Sequence, residues 1–178
     1  MQHFQLEPWL SSQSQRAESA LLHYLDSENS IPQLLHSAMR YAVLGGGKRM
    51  RPLLVYAASE LGSKENLNPK LVDSAAAAIE MIHAYSLVHD DLPCMDNDKL
   101  RRGKPSTHIK FGESTAVLAG NSLLTMAFEI LTSSNLKINE KIKVALVKKL
   151  SESSGHLGIA GGQYLDLSFE KKKISKSK

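Results

Sequence analysis

Apolar side chains recur at three- and four-residue steps along most of the chain, the spacing that gathers them on one face of a helix. RAESALLHYLD (16–26) and PQLLHSAMRYAVL (32–44) follow it, with Pro32 suited to a first helical turn. Gly45, Gly46 and Gly47 end the second of these, because three glycines neither favour a helix nor resist left-handed conformations. A third helix is predicted from Arg51-Pro52 to Leu61-Gly62, and SKENLNPK (63–70) is a turn by composition. The stretch from Leu71 to about Leu92 is rich in Ala, Leu, Ile and Met and reads as a buried helix. A polar loop follows at 101–108, then helices over 114–132 and 141–151. The last helix, GHLGIAGGQYLDL (155–167), is rich in small residues that suggest close packing against a neighbour. Strand-like alternation and internal repeats are absent from the pattern, so the fold class is all-α.

Composition adds the setting. In 178 residues, 42% are hydrophobic and 22% charged, as in one soluble domain with a buried core. Charge or glycine interrupts each apolar stretch, which argues against a membrane span. The first residues lack the ordered basic, apolar and small-residue regions of a signal peptide. Cys94 is the sole cysteine, so no intrachain disulfide forms and a reducing cytoplasm fits. The formal charge of +4 is local: five lysines (171, 172, 173, 176 and 178) lie in the last eight positions. The remainder, with 17 basic and 18 acidic residues, offers no face for nucleic acid. The expected organisation is a helical domain over 1–170 and a solvated, disordered basic tail over 171–178.

Chemistry concentrates in HAYSLVHDDLPCMDNDKLRR (83–102). Asp90, Asp91, Asp96 and Asp98 crowd four like charges behind an apolar helix, which implies a counter-ion. All-oxygen ligands favour a hard cation, and Mg²⁺ binds through one or two carboxylates plus substrate phosphates. Positions 90 and 96 do not share a face on an ideal helix, but a kink or bulge at Pro93 would return Asp96 to Asp90. His83, two turns before Asp90, points the same way. The basic groups answer this cluster. In GGGKRMRP (45–52), Lys48, Arg49 and Arg51 follow the glycine run near a helix start, where backbone N–H groups also favour an anion. Arg101 and Arg102 form a second pair. Together they describe a site for two polyanions, one gripped through metal and one directly.

GGGKRMRP, HAYSLVHDDLPCMDNDKLRRGKPSTH, GESTAVLAGNSLL and GGQYLDL resemble, in order, the signatures of the trans-isoprenyl diphosphate synthases, most nearly the bacterial farnesyl diphosphate synthase type. The resemblance implies the amino-terminal part of an isoprenoid synthase-type helical bundle. It implies that Asp90 and Asp96, with Asp91 beside them, bind Mg²⁺ on the diphosphate of an allylic substrate that Arg101 also contacts. Gly47, Lys48, Arg51, His83 and Arg102 would hold isopentenyl diphosphate. Tyr85 and Ser86 would floor the product pocket and limit chain length, the plainer reading of Tyr85 being core packing. The implied reaction condenses isopentenyl diphosphate with dimethylallyl or geranyl diphosphate to give farnesyl diphosphate, in a homodimer. Geranyl and geranylgeranyl products, or an inactive paralogue that binds diphosphates or a partner subunit, are the alternatives.

The pattern also departs from the family. No second Asp-rich motif follows Asp98, whose only later aspartate is Asp166. The chain therefore reads as truncated near residue 170, and little or no synthase activity is expected of it alone, because water would quench a carbocation in an open pocket. A di-iron bundle is the other reading of Glu80-Met81-Ile82-His83, but it needs a second Glu-x-x-His pair that the sequence lacks.

Overall fold

The computed structural model describes residues 5–62 and 68–170, so the basic tail and most of the 63–70 turn lie outside the described residues. The described residues form eight helices, in order α1 Leu6–Tyr24, α2 Gln33–Leu44, α3 Met50–Leu61, α4 Pro69–Asp90, α5 Thr107–Phe111, α6 Glu113–Thr132, α7 Glu140–Ser154 and α8 Ile159–Phe169. The all-α class holds. Among the described residues the one extended feature is a two-residue-per-strand antiparallel hairpin between α4 and α5, β1 Leu100–Arg101 with β2 Lys104–Pro105.

Helix α4 is the axis. Asn68 caps it by accepting a hydrogen bond from the Lys70 N–H at 3.0 Å, and Pro69 occupies the first turn, where its missing N–H has no partner to lose. Its Ala75–Ala78 run lets α1, α2, α3 and α6 approach closely. The core on this axis contains Leu21 of α1, Val43 of α2, Met81 of α4 and Leu123 of α6, all fully buried. Each large aliphatic side chain removed from water there contributes about 1.5–3 kcal/mol. By length and composition alone α4 and α6 are long enough and apolar enough to cross a membrane, although Asp73 and Glu80 interrupt α4 and Gly120 and Glu129 interrupt α6. Both face the core cluster, which accounts for their apolarity.

Several boundaries differ from the sequence expectation. Helix α1 starts ten residues earlier than residue 16, because Trp9 packs beside the Tyr56 cluster and its indole N–H reaches Glu60 at 2.9 Å. The expected loop at 101–108 contains the hairpin and the start of α5. Helix α8 begins at Ile159, after a turn in which the Gly158 N–H meets the Gly155 carbonyl at 2.9 Å. Its glycines do not pack against a neighbouring helix: none of its residues is buried, and a Cβ on Gly161 would strike the His156 carbonyl oxygen at 1.9 Å. The small side chains make room for the preceding turn.

Candidate functional site

The carboxyl end of α4 places the acidic residues. The helix stops at Asp90, with Asp91 as its cap, and does not bulge through Pro93. A compact turn replaces the expected bulge: the Asp96 N–H donates to the Asp90 carbonyl at 2.8 Å, and the Asn97 and Met95 N–H groups donate to the Leu92 carbonyl at 3.1 and 2.9 Å. Asn97 takes a positive φ of 55°, which small polar side chains tolerate. The result is the one anticipated, reached by another route. Asp96 comes back to Asp90 closely enough that Asp90 titrates above the usual carboxylate range, first from burial and then from the charges of Asp96 and Asp91.

Asp91 goes elsewhere. It is 2% exposed and takes a two-pronged contact from Arg101, whose Nε lies 3.1 and 3.3 Å from its oxygens and whose Nη2 closes the pair. Arg101 also reaches Asp98 at 3.4 Å. The hydrogen bond to Asp91 leads the causes that raise the Arg101 pKa. Among the described residues no three His, Cys, Asp or Glu side chains converge tightly enough to hold a metal by themselves. Two mutually repelling carboxylates, Asp90 and Asp96, with the third, buried Asp91, neutralised by Arg101, suit a hard cation that completes its shell with phosphate oxygens.

The basic residues divide in the same way. Arg49, read in the sequence as one of three converging cations, turns inward instead. It is 3% exposed, sits in the left-handed region at φ 49°, and binds Glu18 at 2.6 Å, Glu80 at 2.8 Å and the Val43 carbonyl at 2.8 Å. It ties α3 to α1, α2 and α4. Glu80 is thereby a counter-ion within the core, not half of a metal pair.

Arg102 and Gly47 bring the two basic motifs together. Arg102 and Gly103 carry positive φ values of 53° and 75° at the hairpin tip, the backbone of a type I′ turn. The Arg102 guanidinium lies against Gly47 so closely that a Cβ there would be 2.8 Å from its Cζ. Burial and the Arg49 charge push Arg102 below the usual guanidinium pKa. His83 is pushed below the usual imidazole range first by burial, then by Arg51, with Arg102 and Arg101 adding to it and Glu80 opposing. The charges of Arg51, Arg102 and Arg101 thus disfavour a proton on His83, and Arg49 and Arg101 disfavour the charge on Arg102, the condition an anion relieves. Lys48 is exposed just ahead of α3, beside Gly47.

An apolar cavity of about 420 Å³ opens beside Asp90, walled by Tyr85, Ser86, His89 and Val117 and by residues of α8. A second, of about 260 Å³, runs deeper along α4 past Ile82 and Ile79, with Arg51 and His83 on its wall. The sequence reading missed His89, Met95, Gln163 and Tyr164 as wall residues; those of α8 reach the cavity only in the folded chain.

Residues 32–178 match a family model described as polyprenyl synthetase. A geranylgeranyl pyrophosphate synthase of Arabidopsis thaliana is 47% identical over 171 residues, which cover 94% of this chain and 43% of the relative. A farnesyl diphosphate synthase of Haemophilus influenzae is also 47% identical, over 94% of this chain and 57% of its own length. Among solved structures, a geranyltransferase from Legionella pneumophila superposes with a TM-score of 0.88 at 40% identity, covering 96% of this chain and 59% of that one. An FPP/GFPP synthase from Zymomonas mobilis superposes with a TM-score of 0.86 at 40% identity, over 95% and 60%. The chain spans about half the length of the curated relatives it matches.

Proposed function

The chain belongs to the polyprenyl synthetase family, and on that premise we propose that it condenses isopentenyl diphosphate with dimethylallyl or geranyl diphosphate to give farnesyl diphosphate. The observation that carries the reading is the division of charge at the end of α4. A pair of repelling carboxylates lies on one side, and a cluster of cations disfavouring further positive charge lies on the other. Two diphosphates of different binding mode are what this division fits.

In this reading Asp90 and Asp96 hold Mg²⁺, and Asp91 serves by fixing Arg101 within reach of the same diphosphate. Mg²⁺ bound there would stabilise the charge of the departing diphosphate. The allylic C–O bond breaks with its electron pair leaving on that diphosphate. Arg51, His83, Lys48 and Arg102, with the backbone at Gly47, hold isopentenyl diphosphate so that its double bond faces the allylic carbon. A C–C bond forms, and loss of one proton restores a double bond. The cavity beside Asp90 takes the prenyl chain, with Tyr85 and Ser86 as its floor. A homodimer in a reducing cytoplasm is the expected setting for this chemistry.

A second reading, diphosphate binding without turnover, is favoured by one observation: among the described residues a single carboxylate pair is available and no larger metal cluster forms. Incubation with radiolabelled isopentenyl diphosphate, geranyl diphosphate and Mg²⁺ separates the two. Labelled farnesyl diphosphate supports condensation. Saturable binding of both substrates without product supports the second reading, and absence of binding refutes both.

A further inference from the structure

Gly120 lies in the interior of α6, where glycine is less favourable than alanine. A neighbour explains its presence. A Cβ at Gly120 would stand 2.3 Å from His89 Nε2 and 2.5 Å from its Cδ2, so the imidazole of α4 occupies the space a side chain would need. One turn earlier on α6, His89 Nε2 donates to the Val117 carbonyl at 3.2 Å. On the other side His89 meets Tyr85, one turn before it on α4. Their ring centroids are 5.1 Å apart at 81°, edge to face. His89, Tyr85 and Val117 all border the cavity that begins at Asp90.

We infer that His89, seated in the notch of Gly120, positions the Tyr85 ring and so sets the length of allylic chain the cavity accepts. The inference rests on the proposed use of that cavity for the prenyl chain. His89 is a positioning residue here: it acts through Tyr85 and donates to backbone, not to substrate. The clash at Gly120 falls on the far end of a side chain, so a methyl there evicts the ring rather than prising the helices apart. The evicted ring has the cavity on its free side and narrows it.

Calorimetric titration with Mg²⁺ and the non-reacting thiolodiphosphates of dimethylallyl, geranyl and farnesyl alcohols tests this. Gly120→Ala is expected to weaken geranyl binding by roughly tenfold relative to dimethylallyl, and adding His89→Ser restores it. His89→Ser alone leaves the α6 sequence unchanged, frees Tyr85, and is expected to improve farnesyl binding relative to geranyl by roughly tenfold. Equal loss of all three ligands in Gly120→Ala, failure of the double variant to restore geranyl, or an unchanged chain-length preference in His89→Ser would overturn the inference while leaving the proposed function intact. Wild-type protein that binds none of the three overturns the proposed function, and this inference with it.

Discussion

Replacing Gly47 with alanine separates the strain of the glycine run from its contact with Arg102. Gly47 has φ +131° and Gly46 has φ +89°, conformations that L side chains rarely adopt, so either substitution is expected to lower stability by about 1–3 kcal/mol. Only Gly47 has a neighbour in the way. Its Cβ would lie 2.8 Å from Arg102 Cζ and Nη1 and 3.0 Å from Nη2, whereas nothing lies within 4 Å of a Cβ at Gly46. The guanidinium ends a flexible side chain and swings aside at small energetic penalty, so the fold survives but the cation leaves its place. One charge-assisted contact to a diphosphate contributes about 1.5–3 kcal/mol, which corresponds to roughly 10- to 150-fold in affinity. Isothermal titration with isopentenyl diphosphate should therefore show a loss in that range for Gly47→Ala and near wild-type affinity for Gly46→Ala. Thermal unfolding should register both variants. Equal affinities in the two variants would refute the assignment of Arg102 to the anion site.

Arg49→Met strands Glu80 in the core without a partner and should destabilise the chain by about 3–5 kcal/mol, measured by urea unfolding; a loss under about 1 kcal/mol would contradict the buried ion-pair account. His83, held below the ordinary imidazole range, should make the free chain less stable as pH falls through that range, because the unfolded state takes up the proton first. Diphosphate binding reverses the sign, so affinity for isopentenyl diphosphate should rise over the same window, and the slope should flatten in His83→Gln; an unchanged slope refutes the contact. Tyr85→Ala removes the floor of the cavity and should shift preference toward longer allylic diphosphates by roughly tenfold in competition binding. Unaltered preference would return Tyr85 to ordinary packing.

How far the sequence alone could be read depended on the range of the interaction. The glycine run and the acidic cluster interrupt helical periodicity within a few residues, so both stood out in one dimension. Helix α4 was legible for the same reason, although its end was not: the turn that returns Asp96 is made by backbone hydrogen bonds that periodicity does not encode. Arg49 was misread because burial of a charge depends on partners, and both Glu18 and Glu80 lie 31 positions away. The seat of His89 against Gly120 is equally distant, and a glycine inside an apolar helix signals only that something comes near. The hairpin did leave a signal, since Arg-Gly between short extended pairs marks a two-residue turn, but a polar loop explained the same residues.

On the proposed function, this end of the helical bundle binds two diphosphates by different means. Calorimetric titration of the wild-type chain with isopentenyl diphosphate and with dimethylallyl thiolodiphosphate, each with Mg²⁺ and with chelator, tests it most directly. Two non-competing sites are expected. Binding of the allylic ligand should require Mg²⁺ and vanish in Asp90→Ala, while isopentenyl diphosphate should bind without Mg²⁺ and weaken in Arg51→Ala. A single shared site, or the same metal dependence for both ligands, would contradict it.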